Sequence, residues 1–200
     1  MTNVMTNNGV NESAPQPDLS AALGHRSVVL VGMMGAGKSS IGRRLASRLC
    51  VPFVDADIEI EKAAGMSISE MFTAHGEPYF RAGEMRVIAR LLESGPQVLA
   101  TGGGAFMNTE TRAAVRAKGI SVWLRATLEV LNRRIKRRGD RPLLKNADPS
   151  DTLRRLIDER YPVYAEADLT VESRDVPHET IVDEILEALR GRVAAGGASP

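Results

Sequence analysis

Short apolar runs alternate along the chain with longer segments in which apolar residues recur every three or four positions. The runs predict buried strands at Ser27–Val31, Pro52–Asp55, Gln97–Ala100, Ile120–Leu124 and Asp168–Val171. The longer segments predict helices at Lys38–Leu49, Asp57–Ala64, Ser67–Ala74, Pro78–Glu93, Thr109–Ala117, Leu128–Lys136, Ser150–Ala165 and His178–Leu189. This alternation indicates an α/β fold, with a five-stranded parallel sheet covered by helices on both faces.

Both ends of the chain lack this pattern. Residues 1–24 are rich in Asn, Thr, Ser, Pro and Ala, and residues 191–200 are dominated by Gly and Ala. Segments of such composition are expected to be disordered tails. Because a chain of 200 residues suggests one domain, we place a single domain over residues 25–190.

The most informative motif lies between the first predicted strand and the helix that follows it. Residues 32–39 read Gly-Met-Met-Gly-Ala-Gly-Lys-Ser, which predicts a phosphate-binding loop with inward-pointing backbone N–H groups at a helix N-terminus. Lys38 would reach the β- and γ-phosphates of a nucleoside triphosphate, and Ser39 would bind its Mg²⁺. The predicted nucleotide-binding residues here are Gly35, Ala36, Gly37, Lys38, Ser39 and Ser40. A glycine-rich turn without a ligand is the alternative, but strand, spacing, Lys, Ser and helix all agree with the loop.

Two carboxylates follow the second predicted strand, at Asp55 and Asp57. Ligands of such sheets bind beyond the carboxyl ends of the strands, and in an extended segment these two side chains would share one face. One could hold a Mg²⁺-bound water while the other orients an attacking alcohol. Capping of the next helix is the alternative, and it would explain one of the two at most.

Three consecutive glycines, Gly102, Gly103 and Gly104, follow the third predicted strand. They add chain entropy to the unfolded state and contribute no packing, which indicates that a ligand approaches bare backbone there. A tight turn could account for one of them.

Two further segments carry cations. Arg81, with Glu84 three residues later, is typical of a solvated helix face unless the insertion at about residues 57–93 forms a substrate-binding lobe. The run from Arg133 to Arg141 is interrupted by Gly139, which favours a mobile lid at about residues 137–149 that closes over bound phosphates. A solvated helix face and a nucleic-acid patch are the alternatives for this run.

Composition narrows the possible partners. The formal net charge of +1 argues against general binding of nucleic acid. No apolar stretch is long enough to span a bilayer and the N-terminus lacks a secretory pattern, so we expect a cytoplasmic protein without membrane partners. The single cysteine, Cys50, cannot form an internal disulfide.

Together these motifs resemble shikimate kinases, over about residues 28–189 and in the order found in that family. The matching segments include residues 32–39, 55–57, 80–81, 101–104, 141–144 (Arg-Pro-Leu-Leu) and 159–164 (Glu-Arg-Tyr-Pro-Val-Tyr). The resemblance implies a three-layer phosphate-loop kinase fold with a helical substrate-binding insertion and a mobile lid. It also implies transfer of the γ-phosphoryl group of ATP to the 3-hydroxyl of shikimate, with Mg²⁺, in aromatic amino-acid biosynthesis.

The resemblance also implies roles for individual residues. Asp57 would contact the shikimate hydroxyls, and Arg81 and Arg160 would clamp the shikimate carboxylate, with the backbone of Gly102, Gly103 and Gly104 completing the pocket. Arg141 would come from the lid to the phosphates of ATP, and Arg174 would lie near the adenine. Lys38, Asp57 and Arg141 are the expected catalytic residues. Ser39 and, through water, Asp55 are the expected Mg²⁺ ligands.

Two other functions remain open from the sequence. The chain could phosphorylate another small hydroxylated acid such as gluconate, or a nucleoside monophosphate. It could also be a non-catalytic nucleotide-binding module that uses the run from Arg133 to Arg141 to contact RNA or a protein.

Of these possibilities we expect the function that the resemblance implies, in a monomer whose substrates are shikimate and ATP.

Overall fold

The computed structural model describes residues 19–138 and 149–196. Its centre is a sheet of five parallel strands in the order β2-β3-β1-β4-β5. The strands are β1 (Ser27–Val31), β2 (Phe53–Asp55), β3 (Val98–Ala100), β4 (Gly119–Arg125) and β5 (Leu169–Glu172). The predicted parallel sheet is confirmed, and every residue of the central strand β1 is buried.

Eight α-helices and one short 3₁₀ helix surround the sheet in the described part of the chain. The α-helices are α1 (Leu19–Leu23), α2 (Lys38–Leu49), α3 (Ala56–Ala64), α4 (Ile68–Glu93), α5 (Thr109–Lys118), α6 (Leu128–Arg138), α7 (Pro149–Tyr164) and α8 (His178–Gly196), and the 3₁₀ helix spans Ala105–Met107. The helices predicted at Ser67–Ala74 and Pro78–Glu93 are the two parts of α4, which is interrupted at Gly76. That residue has φ 80° and ψ 171°, a conformation that favours glycine.

The predicted extents of the two tails are wrong in part. Residues 19–23 form α1, whose Leu19 and Leu23 are buried in the main core, because two leucines give even a short segment enough apolar surface to pack. At the other end α8 continues to Gly196, and Val193 packs against the same core. Residues 1–18 and 197–200 lie outside the described part.

The helical insertion has a small core of its own. Ile60 on α3 packs with Met71 and Phe80 on α4, apart from the main core around the sheet. This cluster fixes α3 against α4 and so positions Asp57 relative to Arg81. No helix in the described residues is long and apolar enough to cross a membrane.

Candidate active site

The phosphate-binding loop has the predicted geometry of a turn between β1 and α2. Gly35 and Gly37 have φ values of 81° and 95°, which side-chain-bearing residues rarely adopt. A Cβ at Gly32 would lie 2.8 Å from the carbonyl oxygen of Leu124, so the neighbouring strand also requires glycine there. No side chain caps α2 at Gly37, which leaves the N-terminal end of the helix dipole for an anion.

Two side chains of the loop make defined hydrogen bonds. The Lys38 ammonium donates hydrogen bonds to the carbonyl oxygens of Gly32 (2.7 Å) and Met33 (3.0 Å), so it lies over the loop. The Ser39 hydroxyl donates to Oδ2 of Asp55 at 2.8 Å. The end of β2 therefore meets the start of α2, as the predicted topology requires.

Asp55 and Asp57 do not share an extended segment, and that prediction is wrong. Asp55 ends β2 and caps α3, accepting a hydrogen bond from the backbone N–H of Asp57 at 3.2 Å. Asp57 thus lies in the first turn of the helix, because the strand is only three residues long. Both nevertheless line one small cavity of about 80 Å³ together with Lys38, Ser39 and Gly103. Asp55 therefore both caps α3 and lines the cavity, so the two interpretations of this residue are compatible.

The glycines after β3 face charged side chains at very short range. A Cβ at Gly104 would lie 2.5 Å from Nη2 of Arg81, and one at Gly102 would lie 2.7 Å from Oε1 of Glu84 and 2.8 Å from Oδ1 of Asp57. Close approach of side chains therefore explains two of the three glycines, where the sequence suggested close approach of a ligand. The alternative of a solvated helix face does not apply to Arg81 and Glu84, since their side chains are only 29% and 3% exposed.

Arg160 reaches the same place from α7. Its Nη1 donates to the carbonyl oxygen of Gly103 at 3.0 Å, and the Tyr164 hydroxyl donates to the same oxygen. Burial raises the pKa of Tyr164 to about 12, so the phenol stays neutral at physiological pH. The buried Nε of Arg160 has no hydrogen-bond partner among the described residues.

A second cavity, of about 260 Å³, separates the two arginines. It is lined by Glu77, Arg81, Gly104, Met107, Asn108, Glu159 and Arg160. Two guanidinium groups on one small cavity suit a carboxylate or phosphate ligand.

Comparison with known proteins agrees with this geometry. A family model described as shikimate kinase matches residues 34–190. The shikimate kinase of Bradyrhizobium diazoefficiens is 61% identical over 188 residues, which cover 94% of this chain and 91% of the relative. The chain belongs to the shikimate kinase family.

Two further comparisons extend this result. The shikimate kinase of Rhodopseudomonas palustris is 58% identical over 200 residues, which cover 100% of this chain and 98% of the relative. The structure of shikimate kinase from Acinetobacter baumannii in complex with shikimate has a TM-score of 0.81 at 36% identity, covering 86% of this chain and 98% of that one. A gluconokinase from Sinorhizobium meliloti, at 20% identity and a TM-score of 0.55, shares the fold alone.

In this member of the shikimate kinase family, sequence reasoning missed one residue that makes hydrogen bonds beside the phosphate-binding loop. Arg134 on α6 donates to the Ser173 hydroxyl at 2.8 Å and to the carbonyl oxygen of Arg174 at 2.8 Å. The Ser173 hydroxyl in turn donates to the carbonyl oxygen of Ala36 at 2.7 Å. Arg134 thus ties the phosphate-binding loop to the segment after β5. The sequence showed it only as one cation among six.

The side chain of Arg174, the predicted adenine neighbour, forms an ion pair with Glu184. Its Nη1 donates to Oε2 of Glu184 at 3.1 Å, and the hydrogen bonds with Glu184 raise the pKa of Arg174. A cavity of about 520 Å³ beside the phosphate-binding loop is instead lined by Gly35, Gly37, Ser40, Arg134, Asp175, Val176, Pro177 and His178. Contact of Arg174 with adenine stays a prediction. Arg141 lies outside the described residues, as does most of the predicted lid.

The charged side chains around Arg81 affect the pKa of Glu84. Burial raises the pKa of Glu84, and the negative charge of Asp57 adds to this effect while Arg81 and Arg160 oppose it. Nη1 of Arg81 donates to Oε2 of Glu84 at 2.6 Å, and the two side chains form an ion pair. Glu84 therefore holds Arg81 against Gly104 from inside the protein.

The residues also fit the expected Mg²⁺. Mg²⁺ prefers oxygen ligands and keeps several waters, and Ser39 with Asp55 supplies two side-chain oxygens in contact with each other. Among the described residues no group of three or more His, Cys, Asp or Glu side chains forms a metal cage.

Proposed function

We propose that this chain transfers the γ-phosphoryl group of ATP to the 3-hydroxyl of shikimate, giving shikimate 3-phosphate and ADP. One observation carries the proposal: the phosphate-binding loop and Asp57 line one cavity with Gly103, and Arg81 and Arg160 line another with the next residue, Gly104. The chemistry of the two sides matches a nucleotide and a small carboxylate-bearing alcohol.

On the nucleotide side, the loop N–H groups and the N-terminus of α2 would bind the β-phosphate. The larger cavity, which Arg134 and Pro177 help to line, would take the base. Lys38 would exchange its present carbonyl partners for the β- and γ-phosphates, since an ammonium gains more from charged oxygens than from carbonyls. Phosphate binding would thus replace the hydrogen bonds that Lys38 makes to the carbonyl oxygens of Gly32 and Met33.

Ser39 and, through water, Asp55 would hold the Mg²⁺. When bound, the ion would neutralise charge on the β- and γ-phosphates. The Asp55 carboxylate has a second task, because its other oxygen caps α3 and so fixes the direction in which Asp57 leaves the helix.

On the acceptor side, Arg81 and Arg160 would bind the shikimate carboxylate. The Nε of Arg160 is a buried donor without a partner among the residues that the structure describes, which favours a ligand that supplies the missing acceptor. Asp57 would then contact the hydroxyl that attacks, orienting it and accepting its proton. Phosphoryl transfer needs mainly such positioning and charge neutralisation. A role for Arg141 at the transferring phosphate stays a prediction from the sequence.

The test is a coupled assay of ADP release with the purified chain, ATP and Mg²⁺. We expect turnover with shikimate and far less with quinate, which has an additional hydroxyl on the carbon that bears its carboxylate, with gluconate, which has no ring, or with AMP, which has no carboxylate. Equal or faster turnover of any of the other three would overturn the proposal. A cytoplasmic location and a monomeric state stay predictions.

A further inference from the structure

Two carboxylates bind the guanidinium group of Arg81, Glu77 along its Nε/Nη2 edge and Glu84 at Nη1. Oε1 of Glu77 accepts hydrogen bonds from Nε (3.2 Å) and Nη2 (3.1 Å), and Oε2 of Glu84 accepts from Nη1 (2.6 Å). A ligand carboxylate that binds arginine in bidentate fashion needs one whole edge. A ligand that took the Nε/Nη2 edge of Arg81 would therefore displace Glu77, and one that bound at Nη1 would compete with Glu84.

Their burial decides which one gives way. The Glu84 side chain is 3% exposed, whereas that of Glu77 is 62% exposed. Removing Arg81 from Glu84 would leave a buried charge without its partner, which is strongly unfavourable. Glu77 can exchange Arg81 for water, because an exposed ion pair is only weakly stabilising.

The backbone places Glu77 in this position. The interruption at Gly76 restarts α4 at Glu77 and Pro78, and proline suits the first turn of a helix. Arg81 follows Glu77 by four residues, so the two side chains meet on one face of the helix. Glu77 also lines the cavity between Arg81 and Arg160, where it lies in the path of an anion that approaches Arg81.

We infer that Glu77 is a placeholder for the substrate carboxylate. It pairs with Arg81 before the acceptor binds, moves into solvent when the acceptor's carboxylate takes the same edge, and returns to Arg81 when the product leaves. Glu77 is thus a positioning residue that lowers affinity for anionic acceptors and speeds their release. The inference rests on the proposed function, since it takes a carboxylate-bearing acceptor as the ligand.

The primary test is Glu77→Gln, which keeps the size of the side chain and removes its charge. Without the competing charge, we expect the Kd for shikimate, measured by calorimetry on the full chain, to fall about two- to fivefold, the range for an exposed ion pair. Binding of ATP should not change. The matched control is Glu93→Gln, which removes the same charge from the same helix but pairs with Lys118. The control should leave both dissociation constants at their wild-type values.

Three further measurements separate displacement from general electrostatic repulsion. Glu159→Gln removes a charge from the same cavity, but Glu159 makes no ion pair with Arg81 in the described structure; equal tightening in this variant would overturn the inference. In an Arg81→Ala background, Glu77→Gln should no longer tighten binding. The neutral methyl ester of shikimate should bind Glu77→Gln no better than wild type.

Unchanged or weaker shikimate binding by Glu77→Gln would show that Glu77 only orients Arg81, and would overturn the placeholder role. Thermal unfolding of each variant checks that the fold is retained, and Glu77→Ala provides a second charge-free variant with the same expected result. Wild-type protein that neither binds nor phosphorylates shikimate would overturn both proposals. Normal wild-type turnover together with weaker binding by Glu77→Gln would overturn this inference alone.

Discussion

Replacing Gly104 with Ala should impair shikimate binding while leaving the fold nearly intact. The added Cβ would lie 2.5 Å from Nη2, 2.6 Å from Cζ and 2.6 Å from Nη1 of Arg81. The backbone is not the obstacle, because φ at Gly104 is −102°, which alanine adopts readily. The clash is with the end of a long side chain, so the protein can relieve it by moving the guanidinium.

That movement sets the size of the effect. Comfortable contact between such atoms begins near 3.5 Å, so the guanidinium must retreat by roughly 1 Å. A shift of that size removes or distorts a charge-assisted hydrogen bond, which contributes about 1.5–3 kcal/mol. The Kd for shikimate should therefore rise about 10- to 150-fold.

Calorimetric titration of the variant with shikimate, and separately with ATP, measures the effect. The Kd for ATP should stay within a few-fold of wild type. Gly83→Ala on the same helix as Arg81 is the control, because a Cβ there meets no atom within 4 Å. A wild-type Kd for shikimate in Gly104→Ala would show that Arg81 does not need its observed position, and would refute the steric reasoning.

Four further outcomes test the site. Asp57→Asn should lower kcat about 100-fold or more, the scale for a positioned acid–base group; kcat within a few-fold of wild type in a coupled assay would leave Asp57 as a spacer. Arg160→Ala should weaken shikimate binding with ATP binding nearly unchanged, and calorimetry that finds the reverse contradicts the assignment. Arg141→Ala should lower kcat by about 2–4 kcal/mol of transition-state stabilisation, with little change in the Kd for shikimate; an unchanged kcat places Arg141 on a solvated surface. Burial raises the pKa of Glu84 above its ordinary 4.5, so near these pKa values the folded state binds more protons than the unfolded state. The stability that Glu84 contributes is therefore lost as the pH rises from the ordinary pKa through the folded one. Glu84→Gln should flatten this part of a plot of unfolding free energy against pH, and an unaltered slope would contradict the reasoning.

The sequence alone determined the features that depend on neighbouring residues. The phosphate-binding loop could be read because strand, glycines, Lys38, Ser39 and helix follow one another, and local backbone geometry suffices to build the site. The parallel sheet could be read because strands buried on both faces need continuous apolar runs. In the same way, the glycines at residues 102–104 indicated that other atoms approach the bare backbone closely, although the sequence did not show which atoms these are.

Tertiary structure decided which charges face one another. Arg81 and Arg160 come from α4 and α7, and only the packing of both helices beside the glycines at residues 102–104 brings them to one cavity. Arg134 could not be distinguished from its cationic neighbours, because its hydrogen bonds are to residues far away along the chain. The sequence of α4 likewise does not show that Glu84 is buried whereas Glu77 is exposed. Local sequence sets the backbone, but the burial and partners of a charged side chain depend on elements remote in sequence, which is why only the folded chain shows how the acceptor side is built.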